Sequence, residues 1–282
     1  QAGKKSPKSL SVTHTGHSIM NILYAAAEIA PFARMSNTAD LLRFLPASLQ
    51  DRGFQIRITL PKYGSIVDRR NRLHEVIRLA GIEVDLAGKS ESMKIKVASI
   101  PNAKLQVYFL DNDTYFKRKA LFKDPKTDQF YDDHDERLLF YNKGIIETVI
   151  RWGWKPDIIH CHDWPAGLVP LLVRTVYKDH ELFKDTKIVY NLHHPVNEGF
   201  LEGASILEKA GLPDDVDISS YVQDGNVDVL AAGLRHSDVV VTGNELKDEF
   251  DHYFKTFNHT PVKIQGSPED VSASFSDFYR QL

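Results

Sequence analysis

The chain alternates between short runs of apolar residues and longer amphipathic segments, from residue 20 to about residue 249. The apolar runs predict strands at residues 21–26, 55–60, 94–100, 105–110, 157–161, 188–192 and 238–242. Runs that stay apolar at consecutive positions are typical of strands buried on both faces of a parallel sheet, with helices between them. The pattern therefore predicts an α/β fold with a doubly wound, mostly parallel, Rossmann-like sheet.

Two of the intervening segments have the clearest helical pattern. Residues 38–51 carry leucines on one face and are followed by the stop signal Gly53, and residues 135–152 show the same 3.6-residue period. Only four residues, 101–104, separate the predicted strands 94–100 and 105–110. A connection this short predicts an antiparallel hairpin between these two strands rather than a crossover.

The composition divides the chain into a leader, a domain and a tail. Residues 1–19 contain Lys4, Lys5 and Lys8, no acidic residue and no apolar period, so we expect a disordered or non-native leader with Met20 as the natural start. Residues 20–256 are expected to form the Rossmann-like domain. The remaining residues, 257–282, are expected to be a tail that includes a short amphipathic helix.

Charge and cysteine content exclude several classes of partner. A net charge of -3 and a pI near 6.5 show no basic excess, so neither nucleic acid nor an anionic membrane surface is an expected partner. No apolar stretch approaches the length of about 20 residues needed to span a bilayer. The single cysteine, Cys161, cannot form an intramolecular disulfide. These features favour a cytoplasmic protein with a neutral or lightly charged ligand.

Polar residues collect directly after the predicted strands. They occur within residues 27–40, 61–64, 111–113, 160–163 and 193–194. The carboxyl ends of parallel strands meet at one edge of a sheet, and ligands of open α/β sheets bind in the crevice at that edge. Polar side chains that are distant in sequence are therefore predicted to converge there.

The segment from His160 to Trp164 allows more than one interpretation. Two imidazoles, a thiol and a carboxylate suggest a metal site, but strand alternation places Cys161 on the face opposite His160 and His162, and nothing completes a tetrahedral set. We therefore predict no metal. A polar strand end that caps the next helix through Asp163 is the plainer alternative. Neither a Gly-x-Ser-x-Gly nor a Gly-x-Gly-x-x-Gly motif is present, which argues against a serine hydrolase and a dinucleotide site.

Six ordered blocks resemble the N-terminal domain of bacterial glycogen synthases and plant starch synthases. They are residues 24–33, 60–64, 107–111, 131–137, 156–164 and 232–238. The resemblance implies one half of a two-domain glycosyltransferase-B architecture. It also implies transfer of glucose from ADP-glucose to an α-1,4-glucan or maltooligosaccharide with retention of configuration, and no cofactor.

The same resemblance implies the site residues. His193 matches the histidine that contacts the transferred glucose, and Asp163 matches the cleft aspartate, so both are assigned catalytic roles. The predicted substrate-binding residues are Arg34, Ser36, Asn37, Asp40, Tyr115, His162, Trp164 and Asn226.

The chain departs from the family pattern in two respects. The family's lysine-x-glycine-glycine loop reads Arg34-Met35-Ser36-Asn37, and glycines there let the backbone approach a phosphate closely. Only about 40 residues follow Thr242, so the second Rossmann domain is not expected in this chain. ADP-glucose binding by the isolated chain is therefore expected to be weak or absent.

Three interpretations of these departures stay open. A second synthase chain, or a homodimer, completes the enzyme. Alternatively, the chain is a catalytically degenerate glucan-binding or regulatory homologue that pairs with another synthase, or it is a Rossmann scaffold without glucan contacts.

Overall fold

The computed structural model describes residues 19–120, 122–194, 197–243, 246 and 248–282, so all of the predicted leader except Ile19 lies outside the described residues. The strands, in chain order, are β1 (Asn21–Ala25), β2 (Gln55–Pro61), β3 (His74–Glu75), β4 (Ile82–Asp85), β5 (Ser90–Ser99), β6 (Gln106–Asp111), β7 (Ile158–His162), β8 (Lys187–Leu192), β9 (Phe200–Leu201), β10 (Val222–Gln223), β11 (Asn226–Asp228), β12 (Val239–Thr242) and β13 (Val262–Lys263).

Helices cover both faces of the sheet formed by most of these strands. They are α1 (Thr38–Asp51), α2 (Asp68–Asn71), α3 (Asp113–Phe116), α4 (His134–Trp152), α5 (Leu168–Arg174), α6 (Ser205–Ala210), α7 (Val229–His236), α8 (Glu249–Thr256) and α9 (Pro268–Tyr279), with short 3₁₀ turns at Ile77–Leu79 and Trp164–Ala166. Helices α1 and α4 confirm the two helical predictions to within one residue.

The main sheet has the order β13-β12-β8-β7-β1-β2-β6-β5-β3, and β4 pairs with β5. Its central strands pair in parallel, from β13 through to β6. Residues Ile22 to Ala25 of β1 have no exposed surface, because β1 lies between two neighbours and under helices on both faces. The predicted doubly wound, mostly parallel α/β fold is confirmed.

The far edge of the sheet is antiparallel. Strands β5 and β6 pair from Lys94 with Asp111 to Ser99 with Gln106, which confirms the predicted hairpin. Strands β3 and β4 add to β5 in the same antiparallel sense, and strands β9 to β11 form a separate small sheet. The sequence pattern missed these additions, because strands of two to four residues are too short to show a period.

Residues 257–282 contain strand β13 and helix α9. Helix α9 begins with a capping box, in which the Ser267 hydroxyl accepts from the Asp270 amide at 3.2 Å and the Asp270 side chain accepts from the Ser267 amide. Its residue Ser272 lies 2.7 Å from the hydroxyl of Ser48 on α1. The last turn of α9 thus packs beside the central strand, where the Tyr279 hydroxyl lies 2.9 Å from that of Tyr24.

The central strand is also the topological switch point. The chain leaves β1 toward β2 on one side, whereas β7 and β8 continue the sheet on the other side. A crevice at the carboxyl ends of β1 and β7 follows from this order. No helix in the described part of the chain is both long and apolar enough to cross a bilayer.

Candidate active site

A cavity of about 210 Å³ opens at the carboxyl ends of β1 and β7. One wall is apolar and includes Met35, Leu42, Phe122, Phe130, Trp164 and Pro165. The polar lining consists of Glu28, Thr38, Lys123, His162, Asp163, His194 and Glu198. The cavity thus combines aromatic surface with hydrogen-bonding groups, as small-molecule sites do.

Asp163 joins the ends of β7 and β8. Its Oδ1 atom accepts hydrogen bonds from the backbone amides of His193, at 2.7 Å, and His194, at 2.9 Å. Its backbone has φ 56° and ψ 177°, a region that non-glycine residues rarely adopt. The aspartate is therefore held in a strained conformation that places its carboxylate under the first turn after β8. It positions His193 through the backbone.

His162, which lines the cavity, forms a pair with His193, which is not among the lining residues. The Nδ1 atom of His162 lies 3.1 Å from Nε2 of His193, and the two rings are stacked with 13° between their planes. Burial lowers the pKa of both imidazoles, and the neighbouring rings of His160 and His193 lower the pKa of His162 further. Both rings are therefore neutral near pH 7.

The hydrogen-bond pattern indicates the tautomers of this pair. The Nε2 atom of His162 is buried and has no hydrogen-bond partner among the described residues. A buried N–H without an acceptor is less tolerated than a bare lone pair, so the His162 proton is assigned to Nδ1, from which it is donated to Nε2 of His193. His193, which is half-buried, then carries its own proton on Nδ1.

Glu28 organises the loop between β1 and α1. Its Oε2 atom accepts from the amides of Met35, at 2.7 Å, and Ser36, at 2.8 Å, while Oε1 accepts from the Ser36 hydroxyl at 2.6 Å. Only 6 % of Glu28 is exposed, and it lines the cavity. Glu28 is not among the site residues predicted from the sequence. A lone carboxylate immediately after a buried apolar strand was the available signal.

The aromatic wall is built from a loop and a strand end. The rings of Trp164 and Phe122 lie 4.4 Å apart, and Phe130 packs on His134 at the same centroid distance. Arg137 of α4, wholly buried, donates to the backbone carbonyls of Tyr115 and Ala120. These two hydrogen bonds hold in place the loop that leads to Phe122 in the apolar wall.

Several predicted substrate-binding residues lie elsewhere. The guanidinium of Arg34 forms an exposed bidentate ion pair with Asp40, with Nη2 to Oδ1 at 2.6 Å, and neither side chain lines the cavity. Asn37 is an exposed residue at the start of α1. The hydroxyl of Ser36 donates its hydrogen bond to Glu28. The loop at 34–37 therefore does not present the predicted polar set to the cavity.

Tyr115 is also not brought to the site. It is buried against Phe140, and its hydroxyl donates to Glu136 at 3.0 Å and accepts from Lys89 at 3.1 Å. A ring held in this way cannot stack on a sugar in the cavity. Tyr115 follows β6, as predicted for a residue at the crevice edge, but its side chain is buried in the core.

Asn226 lies in a neighbouring cavity of about 800 Å³. Phe130 and Glu198 line both cavities and connect them. The second cavity also contains the carboxylates of Asp132, Asp135, Glu198 and Glu202, and burial together with Glu202 raises the pKa of Asp135 to about 6. The two cavities form one continuous polar and aromatic surface along the carboxyl edge.

The site holds hydrogen-bonding groups rather than a nucleophile. Burial raises the pKa of the Cys161 thiol, and His160 uses both ring nitrogens in contacts with Tyr279 and Asn191. Among the residues that the structure describes, no group of three histidines, cysteines or carboxylates is placed to hold a metal ion. The arrangement is suited to binding and orienting hydroxyl groups.

Comparison with known proteins places the chain in a family. The model of the starch synthase catalytic domain family matches residues 21–246. A glycogen synthase of Chlorobium luteolum is 44% identical over 232 residues, which cover 82% of this chain and 47% of that protein. A glycogen synthase of Chlorobaculum tepidum is 42% identical over 224 residues, covering 79% and 46%. The chain spans about half the length of the curated relatives it matches.

The fold agrees with this assignment. The catalytic domain of starch synthase IV from Arabidopsis thaliana, solved with ADP and acarbose bound, aligns with a TM-score of 0.71 at 22% sequence identity. The alignment covers 87% of this chain and 52% of that one, as expected for one half of a glycosyltransferase-B architecture. The family match extends over most of the chain, and the chain therefore belongs to the starch synthase catalytic domain family.

Proposed function

We propose that this chain supplies the N-terminal half of a glucosyltransferase of the glycogen and starch synthase type. The reaction is transfer of glucose from ADP-glucose to an α-1,4-glucan with retention of configuration. The observation that carries the proposal is the cavity at the switch point, which His162, Asp163 and Trp164 line in a chain of this family. The division into a domain at residues 20–256 and a tail at 257–282 belongs to the same proposal.

In this proposal the described residues bind and orient sugar. The Nδ1–H of His193 donates to a sugar hydroxyl, and Asp163 holds that histidine through its backbone. Trp164 and Phe122 offer apolar surface to a glucose ring. Each hydrogen bond contributes only ~0.5–1.5 kcal/mol net, so several sugar units are needed for useful affinity.

We further propose that the isolated chain binds ADP-glucose weakly or not at all. The amides of Met35 and Ser36, which precede α1 in the chain, are already bonded to the Glu28 carboxylate. A phosphate placed there would compete with that carboxylate and meet its negative charge. A second synthase chain or a homodimer would then supply the remaining donor contacts, and the cytoplasm is the proposed compartment.

The direct test is incorporation of labelled glucose from ADP-glucose into glycogen by the purified chain, alone and mixed with the C-terminal half of a homologous glycogen synthase. Calorimetry with maltoheptaose and with ADP-glucose is run in parallel. We expect glucan binding by the chain alone and transfer only in the mixture. His193→Ala should abolish transfer, whereas the matched variant His74→Ala, on an exposed histidine of β3, should not.

The outcomes separate the interpretations. Glucan binding without transfer in any mixture would favour a degenerate glucan-binding or regulatory homologue. No binding of glucan by the parent chain would contradict the proposal and favour a scaffold role.

A further inference from the structure

The hydroxyl of Tyr279, on the last turn of α9, is buried in the middle of the fold. The side chain has no exposed surface. Its hydroxyl contacts Nδ1 of His160 on β7 and lies 2.9 Å from the hydroxyl of Tyr24 on β1. Helix α9 therefore reaches the two central strands at the positions that precede the cavity.

The hydrogen bonds around His160 run in one direction. The amide nitrogen of Asn191 donates to the carbonyl of Val241 at 3.3 Å, so its Oδ1 faces Nε2 of His160, at 3.2 Å, as an acceptor. His160 then carries its proton on Nε2 and accepts at Nδ1 from the Tyr279 hydroxyl. The Tyr279 oxygen, in turn, accepts from the hydroxyl of Tyr24.

This network contacts the histidine pair of the site directly. The rings of His160 and His162 lie 4.2 Å apart with 32° between their planes. The ring of Tyr24 meets both of them edge-on, at 4.8 Å and 5.0 Å. His162 bonds to His193 at 3.1 Å. A change in the tautomer or tilt of His160 thus changes the ring against which His162 is packed.

We propose that Tyr279 is a positioning residue of the site. From α9, its hydroxyl fixes one tautomer and one ring orientation of His160, and His160 and Tyr24 together fix the His162–His193 pair. The consequence for sugar binding rests on the function proposed above, whereas the effect on the histidines does not.

Tyr141 provides a matched control. It is as fully buried as Tyr279, but its hydroxyl has no hydrogen-bond partner among the described residues. Tyr141→Phe and Tyr279→Phe remove the same atom from comparable surroundings. Only the second variant removes a donor from His160, so a difference between them reports the hydrogen bond rather than the loss of a hydroxyl.

The experiment is ¹⁵N NMR of the imidazole rings in histidine-labelled protein. In the parent, His160 should show a single neutral tautomer with its proton on Nε2, and a slowly exchanging tyrosine hydroxyl proton should show a cross-peak to the His160 ring. In Tyr279→Phe, His160 should become a mixture of tautomers, and the signals of His162 and His193 should shift. Tyr141→Phe should leave all three rings unchanged.

Calorimetry with maltoheptaose gives the functional readout. Loss of one net hydrogen bond corresponds to about a threefold to tenfold weaker affinity in Tyr279→Phe, with Tyr141→Phe equal to the parent. If the parent binds no maltoheptaose, the proposed function fails, and the NMR arm still decides the role of Tyr279. Unchanged His162 and His193 signals in a folded Tyr279→Phe variant would overturn the inference. Should that variant not fold, absence of the hydroxyl cross-peak in the parent would overturn it.

Discussion

Substitutions of Asp163 test most directly which interactions hold the site in its conformation. Its Oδ1 atom accepts from the amides of His193 and His194, and its φ of 56° is unfavourable for any side chain. Three substitutions separate these two contributions. Asp163→Ala removes the acceptor and keeps the strain, Asp163→Gly removes both, and Asp163→Asn keeps both an acceptor oxygen and the strain.

The expected magnitudes follow from the two contacts. A hydrogen bond to a charged group contributes ~1.5–3 kcal/mol, and water from the cavity can partly replace the lost acceptor, so Asp163→Ala should lower the free energy of unfolding by ~2–4 kcal/mol. Relief of ~1–3 kcal/mol of strain outweighs the extra ~0.5–1 kcal/mol of chain entropy in glycine. Asp163→Gly should therefore be ~1 kcal/mol more stable than Asp163→Ala. Asp163→Asn should lose only ~1 kcal/mol.

Urea denaturation monitored by tryptophan fluorescence measures these differences. The predicted order of stability is parent, Asn, Gly, Ala. Equal stability of Asp163→Ala and the parent would show that the two amide contacts carry no net energy. An Asn variant as unstable as the Ala variant would show that charge, not acceptor geometry, holds the turn, and both results would refute the reasoning.

Other regions of the fold give further predictions. Glu28→Gln should cost ~1 kcal/mol in urea denaturation and Glu28→Ala ~2–4 kcal/mol, because only alanine leaves the loop donors without an acceptor. Gly64→Ala should lower the free energy of unfolding by ~2–3 kcal/mol, measured in the same way, since an added Cβ would lie 1.8 Å from the carbonyl oxygen of Lys117. Asp135 has its pKa raised to about 6 by burial and Glu202, so its contribution is favourable below pH 4 and lost as the pH rises through 6. Asp135→Asn should therefore be more stable than the parent at pH 8, by ~1 kcal/mol after solvent screening, and equal to it near pH 4 in urea titrations.

The sequence predicted the central sheet well because of where its strands lie. A strand covered on both faces, such as β1, must be apolar at nearly every position, and this leaves a clear apolar run in the sequence. Strand β13 and the small sheet at β9 to β11 have only two or three residues each, and their pairing depends on partners that the local sequence does not reveal.

The site was predictable where position alone decides the outcome. His162 is the last residue of the parallel strand β7 and Trp164 follows two residues later, so the end of that strand places both at the crevice. Tyr115 follows a strand as well, but packing against Phe140 turns it into the core. Arg34 and Asp40 satisfy each other at the surface, an ion pair that only the conformation of the loop determines.

The central position of β1 has a consequence for folding. The Asn21 amide bonds to the side chain of Asp157 across 136 positions, and the Tyr24 hydroxyl bonds to that of Tyr279 across 255. Such distant contacts are reached late because long segments must first be brought together, so the domain is expected to fold slowly. Until β7 pairs with β1, one edge of β1, an apolar strand without charged residues, stays unpaired and can pair with other chains. Refolding yield should therefore fall as the protein concentration rises, and a chaperone that shields this strand should restore it.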